Sequence, residues 1–178
     1  MPGTELFGDE ERKEVNDVMG TGVLFRYNHD AQRNGIWKAK EFEAEVKKVT
    51  NARYAHAVSS GSTAVATALA AAGIGTGDEV IVPPFTYVAT IEAVLFVGAK
   101  PVFAEIDETL CLSAAGIRKA LTSKTKGICL VHMCGGMAKM DEIMPIVKGH
   151  NLVLVEDAGQ AFGASYKGTY VGLFGKAG

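Results

Sequence analysis

The chain has 178 residues, 18 Lys and Arg against 20 Asp and Glu, and a hydrophobic fraction of 48%. That length supports one domain with a sizeable core, and the near balance of charge offers no basic face for nucleic acid and no anchor to an anionic membrane. No apolar run is long enough to span a bilayer. Met1-Pro2-Gly3-Thr4-Glu5 lacks the form of a secretory signal, and Cys111, Cys129 and Cys134 form an odd set without metal-ligand spacing, as expected of reduced thiols in the cytoplasm.

Taken in chain order, a helix is expected over 9–19, with Asp9 and Glu10 favouring its N-terminus. Residues 20–35 carry no clear period and read as loop. Phe42, Val46 and Val49 recur at helical spacing within an amphipathic segment, 38–49. Tyr54 to Val58 is a short strand candidate. Ser59-Ser60-Gly61-Ser62-Thr63 then leads into an alanine-rich helix over 64–72, whose small side chains let it lie close against a sheet. After a turn at 73–78, Glu79-Val80-Ile81-Val82 is a strand ended by Pro83-Pro84. A helix follows over 86–97 with Thr86 as its N-cap. Strands over 101–104, 126–132 and 152–155 alternate with helices over 113–121 and 141–148. Residues 164–172 form a hairpin turning at Lys167-Gly168. Short apolar strands without strict alternation are covered on both faces. The expected class is therefore α/β, a three-layer αβα domain on a mostly parallel sheet.

In such sheets ligands bind beyond the carboxyl ends of the strands, and four pieces of the sequence fall there. Gly61, Ser62 and Thr63 lead into the helix at Ala64, and a helix start, with free backbone N–H groups and a partial positive charge, suits a phosphate. The same residues also fit an ordinary N-cap turn, and neither the Walker loop nor the dinucleotide fingerprint is present. Tyr87, or Phe85 beside it, could lie flat on a planar ring or pack into the core. Asp157 ends a strand with Gln160 three residues on. A buried carboxylate needs a cation, and a protonated pyridine nitrogen is one; an N-cap role for Asp157 stands beside that reading. His132 and Cys134 follow another strand, with local hydrogen bonding the plainer role for the histidine and no fourth ligand in view for a zinc ion. Together a phosphate cradle, a stacking aromatic and an acid for a pyridinium fit pyridoxal 5'-phosphate (PLP).

The stretches Ser59 to Ala64, Gly77 to Pro83, Pro84 to Thr90, Gly98 to Phe103 and Glu156-Asp157-Ala158-Gly159-Gln160-Ala161 resemble the sugar aminotransferases of the DegT/DnrJ/EryC1/StrS family. The resemblance runs from about Phe7 to the end. It implies the aspartate-aminotransferase-like fold (PLP fold type I), with residues 1–178 the N-terminal part of the PLP-binding large domain and the C-terminal remainder and small domain absent. It implies that Gly61, Ser62 and Thr63 hold the cofactor phosphate, Tyr87 stacks on the ring, Asp157 pairs with the ring nitrogen and Gln160 contacts the ring hydroxyl. The Schiff-base lysine is expected beyond Gly178, since Lys167 and Lys176 stand outside its motif. Phe25-Arg26-Tyr27-Asn28, Glu105 to Ser113 and Leu130 to Gly135 are similar to a branch that aminates an eight-carbon keto-sugar acid, giving 8-amino-3,8-dideoxy-manno-octulosonate of bacterial lipopolysaccharide. The implied partners are a keto-sugar, glutamate as amine donor and a second copy of the full-length chain. Two other readings stand beside this one. One is a truncated, inactive fragment serving as a cofactor-binding or association module. The other is a lysine-less PLP sugar dehydratase.

Overall fold

The computed structural model describes residues 3–178. Met1 and Pro2, the first residues of the stretch read for a secretory signal, lie outside the described residues. The chain divides into two compact units at Ala57/Val58.

The first unit is helical, with α1 (Asp9–Thr21), α2 (Asp30–Arg33) and α3 (Lys38–Thr50). The carboxylate of Glu11 accepts the N–H of Gly8 at 2.7 Å, a reach back to the residue before the helix that holds this carboxyl below its ordinary range. α2 lies inside the segment expected to be loop. Four residues are too few to carry a period, and the turn is fixed instead by Arg33, buried, which donates to the carbonyl oxygens of Asn28 and Phe25. The expected strand over 54–58 is not formed. Tyr54 points into solvent, and the N–H of Ala57 goes to the carboxylate of Glu43 at 2.7 Å rather than to a neighbouring strand. A pattern that favours strand yields none without a paired backbone.

The second unit holds β1 (Glu79–Val82), β2 (Lys100–Phe103), β3 (Thr125–Val131) and β4 (Val153–Asp157), all parallel, in the order β2-β1-β3-β4. Four helices surround them: α4 (Gly61–Ala71), α5 (Ala89–Phe96), α6 (Ala114–Ala120) and α7 (Met140–Gly149). Alternate side chains enter opposite cores. Val80, Val82, Cys129 and Val155 pack with Val65 and Leu69 of α4 and Ala93 and Val94 of α5. Ile81, Ile128, Leu130 and Leu154 pack with Ile117 of α6 and Ile143, Ile146 and Val147 of α7. Both faces of β1, β3 and β4 are thus covered, which is why they read as apolar runs and why the unit has three layers, while β2 at the edge stays partly exposed. On α4, Ala66 and Ala68 also meet this core beside the buried Val65 and Leu69.

The strand order reverses at β1. The chain passes from β1 to β2 on one side, then crosses to β3 and β4 on the other. Right-handed crossovers in opposite directions put α5 on one face and α6 and α7 on the other. The carboxyl ends of β1 and β3 therefore bound the crevice where such sheets bind ligands. α4 connects to β1 through a short turn at 72–78, so it runs antiparallel to β1 and its N-terminus lies at that same end.

Beyond β4, β5 (Ser165–Tyr166) and β6 (Thr169–Tyr170) pair antiparallel. Lys167 and Gly168 both take left-handed φ, 49° and 83°, as a tight two-residue hairpin turn requires. The last residues return to the sheet, where Ala177 bridges Val155 in parallel. Two helix starts differ from expectation. α4 begins at Gly61 rather than Ala64, because Ser60 is its cap. α5 begins at Ala89, so Thr86 is not its N-cap; residues 83–88 form the turn that follows Pro83. Among the described residues no helix is long and apolar enough to cross a membrane.

Candidate functional site

The first component is the N-terminus of α4. Ser60 accepts the N–H of Thr63 on its side chain at 3.1 Å and the N–H of Ala64 on its carbonyl at 2.9 Å. That leaves the N–H groups of Gly61 and Ser62 at the first two helical positions, outside both the cap and the helix ladder. The Thr63 hydroxyl lies 2.9 Å from Ser60 Oγ, so Thr63 is already partnered and is the least free of the three residues expected to hold phosphate. At Gly61 a Cβ would meet nothing within 4 Å, and its φ is not left-handed. Nothing in the described chain itself requires glycine there. What glycine leaves is bare backbone open to an incoming anion.

The second component is Asp157, the last residue of β4, half-buried. Its Oδ2 accepts the hydroxyl of Thr90 at 2.9 Å, and its Oδ1 accepts the N–H of Gly159 at 3.2 Å. The second bond is the local turn-capping role that stood as the alternative for this aspartate; the first is not. A carboxylate has roughly four acceptor positions, and these bonds use one on each oxygen. Thr90 sits in the first turn of α5, fully buried, and its N–H donates to the carbonyl of Tyr87 at 3.1 Å. Tyr87 is therefore one turn from the residue that grips Asp157. Tyr87 is 68% exposed and lies outside both apolar cores of the described residues, and Phe85 is exposed as well. Cys129, buried beneath this point, has its thiol pushed up by desolvation and secondly by the charge of Asp157.

Gln160 lies on the turn after β4. Its Oε1 accepts the N–H of Cys134 at 2.9 Å, which leaves the amide Nε2 as a donor. His132 is not a site residue. It is fully buried; Nδ1 accepts the N–H of Ala138 at 3.3 Å, so Nε2 carries the proton and faces Glu156 Oε2 at 3.1 Å. Glu156 also accepts the N–H groups of Gly172, Phe174 and Gly175. The three cysteines are free thiols, Cys134 exposed and the other two buried. Among the described residues no cluster of His, Cys, Asp and Glu is arranged to hold a metal ion. Sequence reasoning missed Thr86 and Thr90. Their i, i+4 spacing beside Tyr87 was the available signal, since it stacks two hydroxyls on one helix face.

A sequence model of the DegT/DnrJ/EryC1/StrS aminotransferase family matches residues 7–178. The chain belongs to that family. It is 43% identical over 167 residues to a GDP-perosamine synthase of Escherichia coli O157:H7, covering 93% of this chain and 44% of that protein. An aminotransferase from Psychrobacter cryohalolentis superimposes with a TM-score of 0.85 at 39% identity, over 95% of this chain and 41% of that one. A GDP-4-keto-6-deoxymannose-3-dehydratase solved with a trapped PLP-glutamate geminal diamine superimposes at 0.82 and 29% identity, over 95% and 43%. The chain thus spans less than half the length of these relatives. The fold is that of the PLP fold type I enzymes, as the DegT/DnrJ/EryC1/StrS resemblance implies, and PLP is the cofactor of the family.

The donor set fits that cofactor chemically. Two free helix N-terminal N–H groups and the Ser62 hydroxyl suit a phosphate, and Asp157 has unused acceptor positions for a protonated ring nitrogen. Gln160 keeps a free amide donor. A cleft between α4 and α5 is lined in part by Ser62 and Thr63 but does not reach Tyr87, Asp157 or Gln160, and a second cleft at the amino end of β1 and β2 includes none of the expected site residues.

Proposed function

We propose that the full-length protein carrying this chain is a PLP-dependent aminotransferase that moves an amino group from glutamate to a keto-sugar. The observation that carries this reading is the half-satisfied carboxylate of Asp157. It stands one helical turn from exposed Tyr87, at the same end of the sheet as the uncapped N–H groups of α4.

In this reading the N–H groups of Gly61 and Ser62, with the Ser62 hydroxyl, bind the phosphate at the positive end of α4, and Thr63 braces Ser60. The Tyr87 ring lies against the face of the pyridine. Asp157 holds the proton of the ring nitrogen, and Gln160 Nε2 donates to the ring hydroxyl oxygen. When bound, PLP supplies an electron-poor ring that accommodates the electron pair released at the substrate carbon. The Schiff-base lysine, which would carry the proton between substrate atoms as acid and base, is to be sought outside these 178 residues.

The keto-sugar is nucleotide-linked or an eight-carbon keto-sugar acid. The relatedness to a GDP-perosamine synthase favours the first; the likeness of residues 105–113 and 130–135 to the octulosonate branch favours the second. Either product would enter a bacterial surface glycan such as lipopolysaccharide. We further assign the enzyme to the cytoplasm, where its free thiols stay reduced, and to a homodimer. The lysine-less dehydratase is the second reading, supported by the likeness to a dehydratase at 29% identity.

The test uses the full-length protein. Asp157→Asn abolishes transamination with an unchanged circular dichroism spectrum; full activity in that variant removes the ring-nitrogen role. Borohydride treatment of the yellow protein fixes the cofactor covalently in an aminotransferase, whereas release of free cofactor on denaturation identifies the dehydratase.

A further inference from the structure

We propose that Thr90, with Thr86 behind it, is a positioning residue: its hydroxyl aims the carboxylate of Asp157 at the cofactor's ring nitrogen. This rests on the reading of Asp157 given above and adds to it a residue with no counterpart in the expected site.

The geometry is a short relay. Thr90 Oγ1 donates to Asp157 Oδ2 at 2.9 Å, and Thr86 Oγ1 lies 2.8 Å from Thr90 Oγ1. A hydroxyl has one proton. The carboxylate can only accept, so the proton of Thr90 is spent there. The Thr86 hydroxyl has two acceptors in reach, Thr90 Oγ1 at 2.8 Å and the carbonyl oxygen of Tyr87 at 3.3 Å, and the shorter contact makes Thr90 its better partner and strengthens the bond onward to Asp157. Thr90 is fully buried in the first turn of α5, so water does not replace it. Its β-branched side chain has few rotamers, which makes the direction of the hydroxyl rigid.

One consequence follows for Asp157. The Gly159 N–H holds Oδ1 and the Thr90 hydroxyl holds Oδ2, so the plane of the carboxylate is set from both sides. Without Thr90 the carboxylate turns about its own bond, and its open acceptor positions no longer face the ring nitrogen.

The experiment uses the full-length apoprotein and pyridoxamine phosphate carrying ¹⁵N at the ring nitrogen, a probe whose binding needs no covalent link. Thr90→Val keeps the shape and removes the hydroxyl; Thr90→Ser restores the hydroxyl. Affinity is expected to fall by about tenfold in Thr90→Val and to return to within about twofold of the parent in Thr90→Ser. The ¹⁵N resonance of the bound probe moves toward that of a neutral pyridine in Thr90→Val and back in Thr90→Ser. A structural role alone would leave that resonance in place. An unmoved resonance and unchanged affinity in Thr90→Val, alongside loss of both in Asp157→Asn, overturns the role of Thr90 and spares that of Asp157. Parental behaviour of Asp157→Asn overturns the reading beneath it. If Thr90→Val does not fold, Thr86→Val is read in the same way, with a smaller shift in the same direction expected; no shift there overturns the relay.

Discussion

Glu156 and Asp157 are consecutive on β4, so their side chains leave opposite faces of the sheet and meet opposite surroundings. Glu156, on the side of α6 and α7, is buried and saturated: His132 Nε2 and three backbone N–H groups from 172–175 point at it. Asp157, on the side of α4 and α5, has one donor on each oxygen and is open to more. The same functional group is a structural bolt on one face and a carboxylate with open acceptor positions on the other. The number of donors each has already met tells them apart; the residue type does not.

The sharpest way to break that contrast is a pair of substitutions. Glu156→Ala strands the buried N–H of His132 and three part-buried backbone N–H groups, and is expected to cost about 3 kcal/mol in urea unfolding. Asp157→Asn is expected to stay within about 1 kcal/mol of the parent while losing cofactor. Equal losses of stability in the two variants would erase the distinction. A smaller effect belongs to Ser60→Ala, which removes the cap of α4 and is expected to cost about 1 kcal/mol by the same measurement. Tyr87→Ala is expected to change stability by less than about 0.5 kcal/mol, because the ring is exposed, yet to speed dialysis of the cofactor from the holoprotein. Unchanged retention would remove the stacking role.

The smallest effect lies on the hairpin. Lys167 and, secondly, Tyr166 hold the Asp141 carboxyl down at about 2, below the roughly 3.9 of an unfolded chain. A depressed acid stabilises above its unfolded value, so this tether is complete above about pH 4 and is lost as pH falls through 2. Hydrogen exchange of the β5–β6 amides should quicken over that window in the parent and show no such step in Asp141→Asn. The groups are exposed, so the change is slight.

Much of this was legible beforehand, for identifiable reasons. The strands around Val80, Ile128 and Leu154 carry apolar side chains on both faces, and helices of seven to ten residues separate them at short intervals. Their edges moved by one to three residues where a cap decided the boundary, as Ser60 did for α4. The strand expected at Tyr54 failed because local propensity cannot supply a neighbour. α2 was missed because Arg33 fixes it through carbonyl contacts that leave no pattern. Asp157 was legible as a singular acid at a strand end. The grip of Thr90 on it was not, because the partners lie 67 positions apart and meet only when α5 packs on the sheet.

The alanines of α4 set a further constraint. Ala66 and Ala68 flank the buried Val65 and Leu69 and keep the rest of the packed surface of α4 thin, and the N-terminus of α4 is carried on the end of that rod. Adding even a few methylenes at those two positions would tilt the rod and displace its tip, with residues 60–63 left unmutated. The placement of the first turn of α4 is therefore written in side chains that lie beyond it.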